Sequence, residues 1–357
     1  MSKVHNFSAG PAILPQEVLK QASEACINFD RLNLSLLEIS HRSKNFEKVM
    51  DDSRALVKEL LMLDDNYEVI FLGGGASLQF GMVPYNLLRT EGTAGYLKTG
   101  VWADKAIKEA QKIGNIKVLA SSEDKQFTYV PKTYGIPGDL DYFHVTSNNT
   151  IYGTQLKKFP VSRVPLVCDM SSDIFSRKVD GKNFALIYSG AQKNMGAAGC
   201  TMVAVDKRLL GKTGRKMLSM LDYSVHIKCG SMFNTPPVFP IYVSLLTMQW
   251  LKNNGGVEWI EGINNAKATL LYTEIDRNPL FKGTTEKEDR SNMNVTFVMH
   301  KPELEPEFDK MWKAANISGI RGHRDVGGYR ASLYNALPLE SVQVLVDVMK
   351  EFERKKT

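Results

Sequence analysis

The chain has 357 residues, a formal charge of +6, 43% hydrophobic residues and 24% charged ones. At about 150 residues per domain this length suggests two domains, and the composition excludes a disordered, collagenous or coiled-coil chain. No apolar run reaches the roughly 20 residues that cross a bilayer, and the opening MSKVHNFSAGP lacks the apolar centre of a secretory signal, so a cytoplasmic protein is expected.

Periodicity predicts an amphipathic helix over 47–63, then a short apolar strand over 69–72. Further strands follow at 94–97, 117–120, 142–145, 166–168, 186–188 and 202–205, with a helix over 102–113 between the first two of them. Such alternation predicts an α/β unit with a mainly parallel sheet covered by helices. Two helical stretches, 242–251 and 257–276, lead out of it. From about residue 279 the pattern resets, with strands over 293–299 and 330–333 and helices over 305–315 and 339–352. Val342, Leu345, Met349 and Phe352 form an ordinary core stripe on the last helix. The reading is an N-terminal arm (1–15), a large α/β domain (16–277) and a smaller α+β C-terminal domain (278–357).

Cys26, Cys168, Cys200 and Cys229 lie far apart without a CxxC pair, so reduced thiols are expected and a metal site is not. The basic surplus is spread along the chain. Its densest cluster, Lys207, Arg208, Lys212, Arg215 and Lys216, reads as a solvated surface sooner than a polyanion site, a choice the charge alone does not decide; with the motifs below, neither nucleic acid nor membrane is expected as a partner.

Two glycine-rich segments carry chemistry. Gly73-Gly74-Gly75-Ala76-Ser77 follows a strand and opens a helix near Leu78, which suits a tight turn or a phosphate cradle equally. It matches neither GxGxxG nor a Walker loop. In Ser189-Gly190-Ala191-Gln192-Lys193-Asn194-Met195-Gly196 a lysine follows an apolar strand among small residues. A cofactor ring can approach such an amine closely enough to form a Schiff base. Asp169 ends the preceding strand, at the edge where open α/β sheets place ligands, and could hold a pyridine nitrogen protonated; it could equally cap a helix. Trp102 offers a flat face or core packing, and Thr150 a hydroxyl for a phenolic oxygen or for a turn.

These segments resemble the class V, fold-type I pyridoxal-phosphate-dependent aminotransferases, end to end. The resemblance rests on Phe7-Ser8-Ala9-Gly10-Pro11-Ala12, Ser40-His41-Arg42-Ser43, the 73–77 turn with Gln79-Phe80, Asp169-Met170-Ser171-Ser172 and Gly190-Ala191-Gln192-Lys193-Asn194. Asn234-Thr235-Pro236-Pro237, Gly322-His323-Arg324 and Gly327-Gly328-Tyr329-Arg330-Ala331-Ser332 complete it. In the 73–77 turn this chain is one residue longer than some members. The resemblance implies that the large domain binds pyridoxal phosphate. Lys193 would carry the cofactor and shuttle the proton, with Asp169 on the ring nitrogen, Trp102 on the ring face and Thr150 on its oxygen side. Ala76, Ser77 and Gln192 would meet the phosphate, joined by Asn234 and Thr235 from the other subunit of a homodimer. Arg330 would clamp the α-carboxylate, and His41, Arg42, His323 and Arg324 would hold a substrate phosphate or the glutamate side chain. Implied substrates are O-phospho-L-serine with 2-oxoglutarate, giving 3-phosphohydroxypyruvate and L-glutamate in L-serine biosynthesis, with 4-phosphohydroxy-L-threonine of pyridoxine biosynthesis as a further one. Two His-Arg pairs argue against a substrate lacking a second anion, because cations left unpaired in a pocket are costly.

Overall fold

The computed structural model describes residues 3–323 and 326–356. The two-residue strand β1 (His5–Asn6) is followed by the helices α1 (Gln16–Ala25) and α2 (Lys44–Leu60). The Ser43 side chain caps α2 by accepting from the Phe46 N–H, and Phe46, Val49, Met50 and Val57 form its buried stripe. Next come β2 (Tyr67–Leu72), α3 (Gly75–Leu87), β3 (Thr93–Lys98), α4 (Val101–Gln111) and β4 (Asn115–Ser121). The strands β5 (Tyr142–Thr146), β6 (Leu166–Asp169), β7 (Leu186–Gly190) and β8 (Thr201–Asp206) complete one seven-stranded sheet, in the order β2-β8-β7-β6-β5-β3-β4.

Strands β4, β3, β5, β6 and β7 run parallel, and β8 is antiparallel to both its neighbours. Every residue of β5, β6, β7 and β8 is buried, because helices cover both faces of the sheet. Alternate side chains feed different layers. Phe143, Val145, Cys168, Ile187 and Met202 pack with α2 on one face; Tyr142, Val167, Leu186, Tyr188 and Val203 pack with α3 and α4 on the other.

The chain then forms α5 (Tyr223–Lys228), α6 (Val238–Asn253) and α7 (Gly256–Arg277), and continues through β9 (Phe281–Gly283), β10 (Asn294–Met299), α8 (Glu305–Ala314), β11 (Ile317–Ser318), β12 (Tyr329–Ser332) and α9 (Leu339–Lys356). An antiparallel sheet β12-β10-β9 packs in an apolar cluster of its own, joined by Leu271 and Ile275 from α7 and by Phe7. Phe7 is placed there because β1 pairs in parallel with β11.

The expected strands and helices are present, with ends shifted by a few residues. One shift matters for the site: α3 begins at Gly75, three residues before the expected start. Gly74 and Gly75, at φ of +85° and +66°, turn the chain through the left-handed region, so the glycine turn is the helix's own first turn. Two of the five residues of the basic cluster are ion-paired, Lys207 with Glu68 at 3.3 Å and Arg208 with Asp206 at 2.6 Å. No described helix is long and apolar enough to cross a membrane.

Candidate active site

A cavity of about 310 Å³ opens where β5, β6 and β7 end, between the large sheet, the segment around Gly10, and β12. Lys193 sits in the turn after β7, which is held by the Ala191 N–H donating to Cys200 O at 2.9 Å. Its Nζ donates to Thr150 Oγ1 at 2.8 Å and lies 5.8 Å from the centre of the Trp102 ring. Gly10 passes so close that a Cβ there would meet Lys193 Cγ at 3.3 Å, and its φ of +137° also favours glycine. Burial pulls the Lys193 ammonium down to about 8; the Asp169 carboxylate opposes that effect and the Arg330 guanidinium adds to it.

Asp169 terminates β6, in register with Thr146 of β5, and is 5% exposed. Its Oδ1 accepts from the Ser171 N–H at 2.9 Å, which holds the carboxylate in place. Burial raises its pKa, and the Ser171 hydrogen bonds pull the other way. Gly75, Ala76 and Ser77 line the opposite wall as the first turn of α3. First-turn N–H groups have no acceptor within their own helix, so they face the cavity as donors to an anion.

Arg330, on β12, reaches over the same cavity, and its Nη1 makes a long 3.4 Å bond to Thr150 O. Burial lowers its pKa, and Tyr334 opposes that. The Nε of Arg330, the Nε1 of Trp102 and the Oγ1 of Thr146 are buried without a hydrogen-bond partner. Three orphaned polar atoms around one cavity mark a place shaped for a ligand.

Ser77, Ala76, Trp102, Thr150, Asp169, Gln192, Lys193, His323 and Arg330 therefore meet around one cavity. His41, Arg42, Asn234 and Thr235 are not among its lining residues. Asn234 and Thr235 are exposed on the loop before α6, and His41 and Arg42 lie in the turn before α2, which packs against α6 outside the sheet. Arg324 lies outside the described residues. The lining also holds Ala9, Gly10, Thr146 and Asn148, which sequence reasoning had given no site role. Thr146 carried a usable signal: it ends the strand beside Asp169.

A strand-end lysine, a buried carboxylate, an indole face and an anion-ready helix start fit pyridoxal phosphate, and the fold is that of the fold-type I transferases. Thr146 and Trp102, whose hydroxyl and N–H are orphaned, line the same cavity.

Comparison with known proteins places the chain further. The model of the aminotransferase class-V family matches residues 4–345. Over 354 residues the chain is 64% identical to the phosphoserine aminotransferase of Flavobacterium psychrophilum, covering 99% of each. The structure of phosphoserine aminotransferase from Bacillus circulans subsp. alkalophilus superposes with a TM-score of 0.96 at 42% identity, over 99% of both chains. That of Trichomonas vaginalis phosphoserine aminotransferase, solved with pyridoxal phosphate bound, gives 0.93 at 32% identity, over 98% of this chain and 100% of that one. The chain belongs to the phosphoserine aminotransferase family of the class V, pyridoxal-phosphate-dependent aminotransferases.

Proposed function

We propose that the chain exchanges an amino group reversibly between O-phospho-L-serine with 2-oxoglutarate and 3-phosphohydroxypyruvate with L-glutamate, as a step in L-serine biosynthesis. The observation that carries this reading is the half-satisfied Arg330 guanidinium within the same cavity as Lys193 and the first turn of α3. Pyridoxal phosphate, when bound, supplies an aldehyde carbon for the incoming amine and a ring that draws electrons from the substrate α-carbon.

The chain's own residues do the rest. Ala76 and Ser77 offer backbone N–H groups, with the Ser77 hydroxyl and Gln192, to the cofactor phosphate. Asp169 holds the proton on the ring nitrogen, Trp102 covers one ring face, and the Thr150 hydroxyl adjoins the oxygen side. The Lys193 amine would take the proton from the substrate α-carbon and return it to the cofactor's aldehyde-derived carbon, on the far side of the nitrogen, and its burial, which lowers its basicity, favours the neutral amine that accepts the proton. Arg330 presents paired N–H donors to the α-carboxylate, which fixes the α-carbon over Lys193. In this reading residues 16–277 hold the cofactor and residues 278–357 bring Arg330 over it.

A coupled assay with phosphoserine, serine and alanine as amino donors tests the reading. Phosphoserine should lead by about a hundredfold or more in kcat/KM, the worth of one well-paired buried anion. Comparable rates for alanine would return the chain to a general class V activity. In the same assay Arg330→Ala should raise KM for phosphoserine and for glutamate together, because both carry the carboxylate it clamps; an effect on one alone contradicts that role. 4-Phosphohydroxy-L-threonine has the same phosphate and amino-acid ends, and we read it as a second substrate, as in pyridoxine biosynthesis; its direct assay checks this. The free cysteines suit a cytoplasmic, reducing compartment.

The reading includes a homodimer. Asn234 and Thr235 would reach the cofactor phosphate of a second copy, and His41 and Arg42, on the same outer layer, would supply cations to the second copy's substrate beside its His323 and Arg324. Mixing Lys193→Ala with Arg42→Ala protein should restore activity that neither variant has alone, to about a quarter of wild type if dimers reassort at random. No recovery after verified subunit exchange would place His41 and Arg42 elsewhere.

A further inference from the structure

Lys267 lies on α7 with none of its surface exposed. A charged amine in that position is costly unless it is paired, and no carboxylate among the described residues contributes to its environment. Its ammonium instead donates to three main-chain carbonyls, Leu333 O at 2.9 Å, Tyr334 O at 2.8 Å and Leu337 O at 3.1 Å. An ammonium has three protons and no lone pair, so these bonds saturate the charged form. A methionine would fill similar space without the cost of burying a charge, so the cation at this point calls for a use.

The three carbonyls belong to the turn between β12 and α9, and that turn reaches the reacting lysine by two routes. The Asn335 N–H donates to Asn194 Oδ1 at 2.9 Å, and Asn194 directly follows Lys193. The Tyr334 hydroxyl donates to Ala9 O at 2.9 Å and accepts from Asn294 Nδ2 at 3.2 Å, and Gly10, which directly follows Ala9, is the residue that passes against Lys193 Cγ. One helical turn before Lys267, Asn264 Nδ2 donates to Asn335 Oδ1 at 2.9 Å, so α7 holds the turn at two points.

We propose that Lys267 is a positioning residue for amino transfer: it gathers the carbonyls of the 333–337 turn so that Tyr334 and Asn335 hold the Ala9-Gly10 segment and Asn194, and through them Lys193, in working position. This rests on Lys193 being the residue that carries the cofactor.

The test uses cofactor-loaded Lys267→Met and Lys267→Gln proteins beside the wild type. The readouts are the pH midpoint of the cofactor's visible absorbance, kcat and KM for phosphoserine, and the melting temperature. The midpoint should move in both variants, more in Lys267→Met than in Lys267→Gln, which keeps two donors. Turnover should fall roughly tenfold or more, with KM moving less, as expected when a reacting group loses its alignment. A lower melting temperature with unchanged midpoint and kcat would mean that Lys267 only stabilises the fold, and the proposal fails. Should neither variant fold, Tyr334→Phe decides: it leaves the three carbonyl bonds intact and must move the same midpoint, and an unmoved one overturns the route. An error in the underlying assignment shows separately, because borohydride would then fix the cofactor elsewhere than on Lys193.

Discussion

Lys193→Ala protein should fold, take up pyridoxal phosphate without covalent attachment, and turn over at least about 10⁴-fold more slowly than wild type, since it loses both the nucleophilic amine and the proton carrier. Folding should survive because the side chain faces the cavity, and among the described residues its one side-chain hydrogen bond is to Thr150. The same lysine predicts a pH dependence. Its ammonium titrates near 8, below the ordinary 10.5, because burial disfavours the charged form. The neutral amine is the form that attacks an aldehyde. At pH 7 it is populated about 300 times more than for a lysine of ordinary basicity. The rate at which cofactor-free protein binds pyridoxal phosphate covalently should therefore rise with pH and level off above about 8. A rate still climbing tenfold per unit at pH 9 would show that the Lys193 environment leaves its basicity ordinary.

Much of this arrangement was legible in the sequence because it depends on short-range pattern. The strand ends that place Asp169 and Lys193 follow from apolar runs of the large sheet, where burial on both faces removes ambiguity. The helix stripes at α2 and α9 are equally local. Features that depend on contacts between distant segments were not legible. Strands β1 and β11 have two residues each, too short for a period, and exist because they pair with one another. That pairing brings Ala9 and Gly10 to Lys193, and no spacing in the sequence records it. The start of α3 differs for another reason: the glycines suit a turn ahead of the helix, whereas the positive φ of Gly74 and Gly75 makes that turn the entry to the helix itself. Lys267 is the sharpest case. Nothing in the sequence of its helix sets it apart, and only the fold shows it closed in by the carbonyls of a turn 66 to 70 residues away.

Asp169→Asn should cost two to three powers of ten in kcat/KM while leaving cofactor-free stability nearly unchanged or higher. The stability side follows from the local bonds. An asparagine Oδ1 can still accept from the Ser171 N–H, and the substitution removes a carboxylate whose charge burial already disfavours. The kinetic side follows from charge. With pyridoxal phosphate bound, a carboxylate 5% exposed at the end of β6 is the described acidic group on the cavity wall able to balance a protonated ring nitrogen. Breaking a buried ion pair by neutralising one partner costs about 3–5 kcal/mol, and each 1.36 kcal/mol is tenfold in rate. That cost falls where negative charge builds on the ring during removal of the α-proton, so kcat should drop and KM change little. The α-deuterium isotope effect should grow in parallel, because proton removal becomes the slow step. A loss below about fivefold with an unchanged isotope effect would mean that the ring is held without Asp169, whose role would then be to fix the β6 terminus through Ser171.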